Sequence, residues 1–255
     1  MTLLKYVKRR LFYFNNILLT AWRNRMKTIF ISGANRGLGL QFTKQYALQG
    51  DHVIACARDL SQAIALTQLA QRHNNIQLHQ LDVMNEAQIV NLTAHFKNES
   101  IDILIHNAGV GGEQCETLSA MNQKSWLEVL AVNTVAPMLI TQALLKNIMA
   151  SKEKKIIGLT SILASISDNR SGGRYSYRAS KAALNQSFRS LACELLDDGV
   201  TATVIHPGWV KTDMGGKEGK ITAEQSVTGM IKVISELKSI NSGCFFTYDG
   251  TELPW

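Results

Sequence analysis

From Lys27 onward the chain alternates short β-rich runs with segments of helix length, and this alternation constrains the fold more than any single residue. Strands read as Thr28 to Ser32, Val53 to Ala57, Ile76 to Leu81, Ile101 to His106, Lys155 to Ser161, Thr201 to Ile205 and Cys244 to Tyr248. Such alternation is the signature of a parallel sheet covered on both faces. Helix starts agree, because Asp59 with Gln62, Asn85 with Gln88, and Thr222 with Gln225 each approximate a capping box. Gly50, after the first helix, and Gly199, after the long helix that begins near Ser176, stand where left-handed stops are wanted. The expected architecture is α/β, one doubly wound domain over residues 26–255 with a mostly parallel seven-stranded sheet. Such sheets bind ligands beyond the carboxyl ends of their strands.

At 255 residues, 45% hydrophobic and 18% charged, the chain is too apolar for a disordered tail, and it has no apolar run long enough to span a membrane. Its net charge of +7 suggests nucleic acid until it is divided by position. Residues 1–25 hold six bases (Lys5, Lys8, Arg9, Arg10, Arg23, Arg25) and no acid, which leaves 21 bases against 20 acids for the rest. The folded body therefore carries no phosphate-neutralising footprint, and no nucleic-acid partner is expected. Residues 1–25 read as a tail from an early start ahead of Met26, a membrane-surface anchor, or a targeting segment. Four scattered cysteines, with no C-x-x-C pair, read as reduced thiols in a cytoplasmic protein without a metal site.

Each motif that carries chemistry falls at a strand's carboxyl end. Ser32-Gly33-Ala34-Asn35-Arg36-Gly37-Leu38-Gly39 follows the first strand and opens a helix. It is not a G-x-G-x-x-G run, but its three glycines admit a close backbone approach and its helix amides suit a pyrophosphate. The second strand ends Cys56-Ala57-Arg58, and Arg58 with Arg36 offers two guanidiniums to a 2′-phosphate, which favours NADP(H). A strand ending one residue later would put Asp59 there instead, the arrangement for NAD.

Tyr177 and Lys181, four residues apart, share one helix face, where the ammonium is expected to lower the phenol pKa and make it a usable proton donor. Ser161, sixteen residues upstream, is placed to hold the substrate oxygen; the alternative is a turn serine. Asn133 lies in a helix-like stretch, Gln123 to Ala150, four residues before Pro137. Because Pro137 has no N–H, the Asn133 carbonyl is expected to leave the helix ladder and hold a water near Lys181, unless the proline is a mere kink.

Together with Asp82, Asn107-Ala108-Gly109 and Pro207-Gly208, these residues resemble, in order and spacing, the short-chain dehydrogenase/reductase superfamily from about Met26 to Trp255. The stretch Gly172 to Asn185, the loop Pro207 to Gly216 and the ending Tyr248 to Trp255 are closest to the C-factor and sniffer-type carbonyl reductases. The resemblance implies a Rossmann-type fold in which Ser161 orients a carbonyl, Tyr177 is the general acid, Lys181 binds the nicotinamide ribose, and Asn133 holds a relay water. It also implies that Asp82 and Val83 meet the adenine, Asn107, Ala108 and Gly109 the ribose side, and Pro207, Gly208, Val210 and Thr212 the carboxamide. Two departures stand out: His106 replaces the usual asparagine before Asn107, and the Ser161–Tyr177 gap is three residues longer than in many members, absorbed by Ser165 to Gly173.

The implied activity is NADPH-dependent reduction of a small or medium carbonyl compound, with self-association as a dimer or tetramer through Gln123 to Ala150 and Ser176 to Asp197. The rival is a nucleotide-binding regulator or signalling protein on the same fold. Gly111 to Asn122, Met214 to Ile221, Trp209 and Trp255 are candidate pocket residues, with ordinary packing as the alternative.

Overall fold

The computed structural model of the chain describes residues 26–113 and 117–255. The basic extension therefore lies outside the described residues. Seven strands, β1 (Thr28–Ser32), β2 (His52–Ala57), β3 (Ile76–Gln80), β4 (Ile103–His106), β5 (Lys155–Leu159), β6 (Thr201–His206) and β7 (Phe245–Thr247), pair in the order β3-β2-β1-β4-β5-β6-β7. Every pairing is parallel, so the sheet is wholly rather than mostly parallel. The order reverses between β1 and β4, which makes their carboxyl ends the switch point of the sheet.

Successive side chains of a strand point to opposite faces, and each face has its own core. Ile29, Ile31, Val53, Ala55, Ile103, Ile105, Ile157 and Ile205 pack beneath α1 (Gly37–Leu48), α2 (Ile64–Arg72) and α7 (Ala223–Glu236). Phe30, Ile54, Leu104, Ile156 and Val204 face the other way, toward α3 (Glu86–His95), α5 (Ala136–Met149) and α6 (Tyr175–Glu194). The helix α4 (Gln123–Leu130) runs into α5 through Ala131–Val135, five residues wound as a π-helix.

Helix ends match the sequence in part. Thr222 and Gln225 form the full capping box. Asn85 caps α3 by accepting from the Gln88 N–H, but the Gln88 side chain accepts from Asp82 N–H instead of closing the box. Asp59 does not cap: α2 begins at Ile64, and the Asp59 carboxylate is held by the amide and hydroxyl of Ser61. Gly50 and Gly199 both adopt the left-handed backbone, Gly199 after a turn that follows the end of α6 at Glu194. Before Pro137 the helix widens into a π-turn: Ala136 N–H reaches back five residues to the Ala131 carbonyl, the wider turn relieving the clash of the ring.

His106, at the end of β4, is buried and has a structural role. Its Nε2 and the Thr141 hydroxyl lie 2.8 Å apart, and its ring packs edge-on to Phe188. Burial pushes its pKa down to about 3. The unfolded chain takes up this proton near pH 6.5, so the stability the neutral ring contributes is complete above that pH and is lost as pH falls toward 3. Melting temperature is expected to drop along that limb by about 2–4 °C per kcal/mol lost. His106→Asn should flatten the slope, leaving the part due to His206, which burial pushes down to about 4; an unchanged slope would assign the acid limb to other groups.

Candidate active site

At the switch point the loops after β1 and β4 cross in near backbone contact. A Cβ at Gly33 would stand 2.8 Å from Ala108 Cα, and one at Gly39 would run into the Gly33 carbonyl. Ser32 Oγ accepts from the N–H groups of Asn107 (3.2 Å) and Ala108 (3.1 Å), while Asn107 Nδ2 donates to the carbonyls of Ser32 (3.0 Å) and Gly33 (2.7 Å). The glycine-rich run thus aims the first turn of α1 at a cleft whose opposite wall is the loop after β6. A Cβ at Gly37 would meet Thr212 Cγ2 at 3.7 Å.

The sequence-predicted cofactor residues lie at or beyond the carboxyl ends of β1, β2, β3, β4 and β6. Ala34 N–H bonds the Cys56 carbonyl, drawing the Asn35-Arg36 turn toward the end of β2. The strand stops at Ala57, so exposed Arg58 is the first residue beyond it, and Asp59 is turned into its own bonds with Ser61, which hold its carboxyl below the usual range. The Arg36 guanidinium is engaged by Asp213 across the cleft. Both side chains are exposed, so the pair is worth at most about 1 kcal/mol and opens readily for a competing anion. Leu38 packs on the first core and Val83 on the second, while Asp82 caps its own turn through Met84 N–H. Pro207, Gly208, Val210 and Thr212 form the β6 loop, fastened by Ser226 Oγ to the Pro207 carbonyl (2.6 Å) and by a bridge between Val210 and Ile221.

The reaction cluster stands beside the cleft. Tyr177 is in the first turn of α6 and Lys181 one turn on, both buried. Ser161 does not end β5; it lies two residues past it, as N-cap of the short turn Ile162–Ala164, where its Oγ accepts from Leu163 N–H. Its hydroxyl is close enough to the Tyr177 phenol to lower the phenol's pKa. The extra loop from Ser165 to Gly173 is stapled by Arg178, which donates to Gly173 O, Leu163 O and Ser171 Oγ.

Electrostatics depart from the expectation that Lys181 lowers the Tyr177 pKa. Burial raises the phenol pKa, and the opposing influences are the Ser161 bond and the charge of Arg174. Lys181 is itself pushed down to about 8 by burial, and its ammonium donates to the Leu159 carbonyl at 2.8 Å. Sequence reasoning missed Arg174. Its guanidinium stands 4.9 Å from the centre of the Tyr177 ring, on a left-handed backbone (φ 50) that costs a non-glycine residue roughly 1–2 kcal/mol. The run Gly172-Gly173 just before it was the available signal, since three successive left-handed residues fold the arginine back over the ring.

Asn133 holds the loop after β4 with its side chain. It accepts from Val110 N–H (2.8 Å), donates to Val110 O (2.9 Å) and to Ser180 Oγ (3.0 Å), and Ser180 Oγ in turn donates to Tyr177 O (2.8 Å). A Cβ at Gly109 would fall 3.2 Å from Asn133 Oδ1 and 3.6 Å from Lys181 Nζ, which brings the loop, the asparagine and the lysine to one place. Trp209 is half exposed and donates to Gly215 O, whereas Trp255 stacks on Phe245 at the sheet edge. Phe245 lines a cavity of about 420 Å³ with Ile162, Arg170 and Leu253, and that cavity does not include Tyr177.

The comparisons with known proteins agree with this geometry. The chain is similar to the carbonyl reductase Sniffer of D. melanogaster, with 34% identity over 91% of this chain and 100% of that one and a TM-score of 0.83. It is equally similar to an NADPH-bound carbonyl reductase from chicken fatty liver, at 34% identity, the same coverage and a TM-score of 0.84. The C-signal of Myxococcus xanthus is 40% identical over 155 residues, which is 61% of this chain and 93% of that protein. The short chain dehydrogenase family matches residues 27–222, and the chain belongs to it.

Proposed function

We propose that the chain is an NADPH-dependent oxidoreductase that reduces a small or medium carbonyl compound, with Tyr177 as proton donor. The observation that carries the reading is the placing of Tyr177 and Lys181, both buried and one turn apart on α6, with Ser161 near enough to lower the phenol's pKa, beside a cleft walled by side-chain-free backbone. The bare crossing of Gly33 over Ala108 and the start of α1 fit a pyrophosphate, and Asn35, Arg36, Gly37, Leu38 and Gly39 would hold it. Arg58, with Arg36 once released from Asp213, would hold a 2′-phosphate; Asp82, Val83, Asn107, Ala108 and Gly109 would flank the adenosine side, and Pro207, Gly208, Val210 and Thr212 the nicotinamide. NADPH-bound relatives of the same fold support this choice of cofactor. The nicotinamide, when bound, supplies the hydride.

The chain's own contribution is placement and proton supply. Ser161 and Tyr177 would hold the carbonyl oxygen from two sides. A phenol protonated at neutral pH suits the acid role, and Ser161 and Arg174 offset the desolvation that would otherwise make it too weak an acid. Lys181, facing Gly109, would bind the ribose hydroxyls and bring a positive charge to the donor site. The likeness to a protein named C-signal favours a second reading, a regulator, which an intact proton-donor cluster speaks against.

Tyr177→Phe should cut carbonyl-dependent NADPH oxidation by at least 100-fold while NADPH affinity changes little, since general acid catalysis contributes about 10²–10⁴-fold. Full turnover in this variant would remove Tyr177 from its role, and turnover absent from the unaltered chain across a carbonyl panel would favour the regulator. Arg58→Ala should weaken NADPH about 10-fold or more and leave NADH nearly unaffected, measured by fluorescence titration. Equal loss for both cofactors would place Arg58 outside the 2′-phosphate site.

A further inference from the structure

Arg174 occupies the mouth of the cleft and is not used by the reaction just described except through its charge. Its guanidinium lies over the Tyr177 ring, 4.9 Å from the ring centre. The far end of the side chain reaches the loop after β4, where a Cβ at Gly111 would stand 3.7 Å from Arg174 Nη2 and 3.6 Å from Met214 Cγ. Three segments therefore converge there: Gly111, Met214 of the β6 loop, and the start of α6. Gly109, two residues before Gly111, faces Lys181 and Asn133. The cleft over Tyr177 thus has one cation at the cofactor end, Lys181, and a second at the outer end, Arg174.

Nothing among the described residues neutralises that second cation. The three ion pairs found there join Lys27 and Lys155 with Glu153 and Arg36 with Asp213, and none includes Arg174. Its Nε is buried and has no hydrogen-bond partner among the described residues. A guanidinium held in a left-handed turn, over the Tyr177 ring and with its buried Nε unpaired among the described residues, is a planar donor set suited to a carboxylate. Arg174 Cζ stands 4.9 Å from the centre of the ring that carries the phenol oxygen, so the cation and the phenol are a short substrate's length apart. A substrate whose carbonyl oxygen sits on Tyr177 and Ser161 spans that distance to Arg174 with one to three carbons.

We propose that Arg174 is a specificity-determining residue that receives the carboxylate of an oxo acid, so that the preferred substrates are short-spaced 2-, 3- or 4-oxo acids rather than neutral carbonyls. The inference rests on the reductase reading above. Met214 and Gly111 then serve as the apolar and backbone sides of the same anion seat. The absence of a side chain at Gly111 leaves the approach to Nη2 open, since even a methyl group there would lie against it.

The test uses the full chain with NADPH and matched pairs that differ only in charge: phenylglyoxylate, benzoylacetate and 3-benzoylpropanoate, each beside its methyl ester. At least one acid is expected to exceed its ester about 10-fold or more in kcat/KM, carried mostly by KM. Arg174→Gly, which suits the left-handed backbone and so keeps the fold, should bring that ratio close to one. Arg174→Lys should keep part of it, because the charge remains and the planar fork is lost. Esters reduced as well as every acid, or a ratio unmoved by Arg174→Gly, would overturn the anion seat while leaving the reductase reading intact. Should no pair be reduced, phenylglyoxylate is titrated into the NADP⁺-loaded chain by calorimetry. Binding that disappears in Arg174→Gly would sustain the seat and overturn the reductase reading, and binding that is absent or indifferent to Arg174 would overturn the seat.

Discussion

Two pieces of backbone, Gly33 after β1 and Ala108 after β4, pass so close that no side chain fits between them, and the rest of the site is hung from this crossing. Ser32 and Asn107 lock it with four hydrogen bonds. From there the fixed geometry propagates through a chain of hydrogen bonds. The loop continues to Val110, whose N–H and C=O are both taken by Asn133; Asn133 reaches Ser180, and Ser180 reaches the Tyr177 carbonyl. Asn133 therefore works here as a strut between the loop after β4 and the Tyr177 turn of α6. Its burial makes this obligatory, because an amide that lost these partners would leave several backbone and hydroxyl groups unpaired in the core.

The electrostatic character of the cluster follows from its depth. Desolvation acts against both charged forms at once, raising the pKa of the Tyr177 phenol and pushing the Lys181 ammonium down to about 8. A cluster left to burial alone would hold a phenol too reluctant to part with its proton. Ser161 and Arg174 pull in the other direction, one by a hydrogen bond and one by charge over the ring face. The phenol pKa is thus set by a balance of environment and neighbours rather than by the lysine a turn away.

The sheet was legible in the sequence because buried parallel strands are short apolar runs bounded by helix signals, and all seven strands fall within two residues of where those runs place them. The glycine-rich turn and the Tyr177/Lys181 pair were legible for a related reason: each is set by backbone neighbours a few residues apart. Ser161 was misplaced by two residues because its polar environment is a turn, not a ladder, and Asp59 was misread as a cap because Ser61 competes for its carboxylate. Arg174 was signalled only by the Gly172-Gly173 run before it. Its position depends on a left-handed path through Gly172 and Gly173 and on the distant Gly111 and Met214, none of which periodicity reports.

The most direct test of the account is a fluorescence titration of the intact chain with NADPH and with NADH, which needs no substrate. An Arg58 side chain at the end of β2, with Arg36 released from Asp213, should hold a 2′-phosphate by charge-assisted hydrogen bonds worth about 1.5–3 kcal/mol, so NADPH should bind about 10- to 150-fold more tightly. Equal or reversed affinities would contradict the assignment of Arg36 and Arg58, and failure to bind either nucleotide would contradict the cleft as a dinucleotide site.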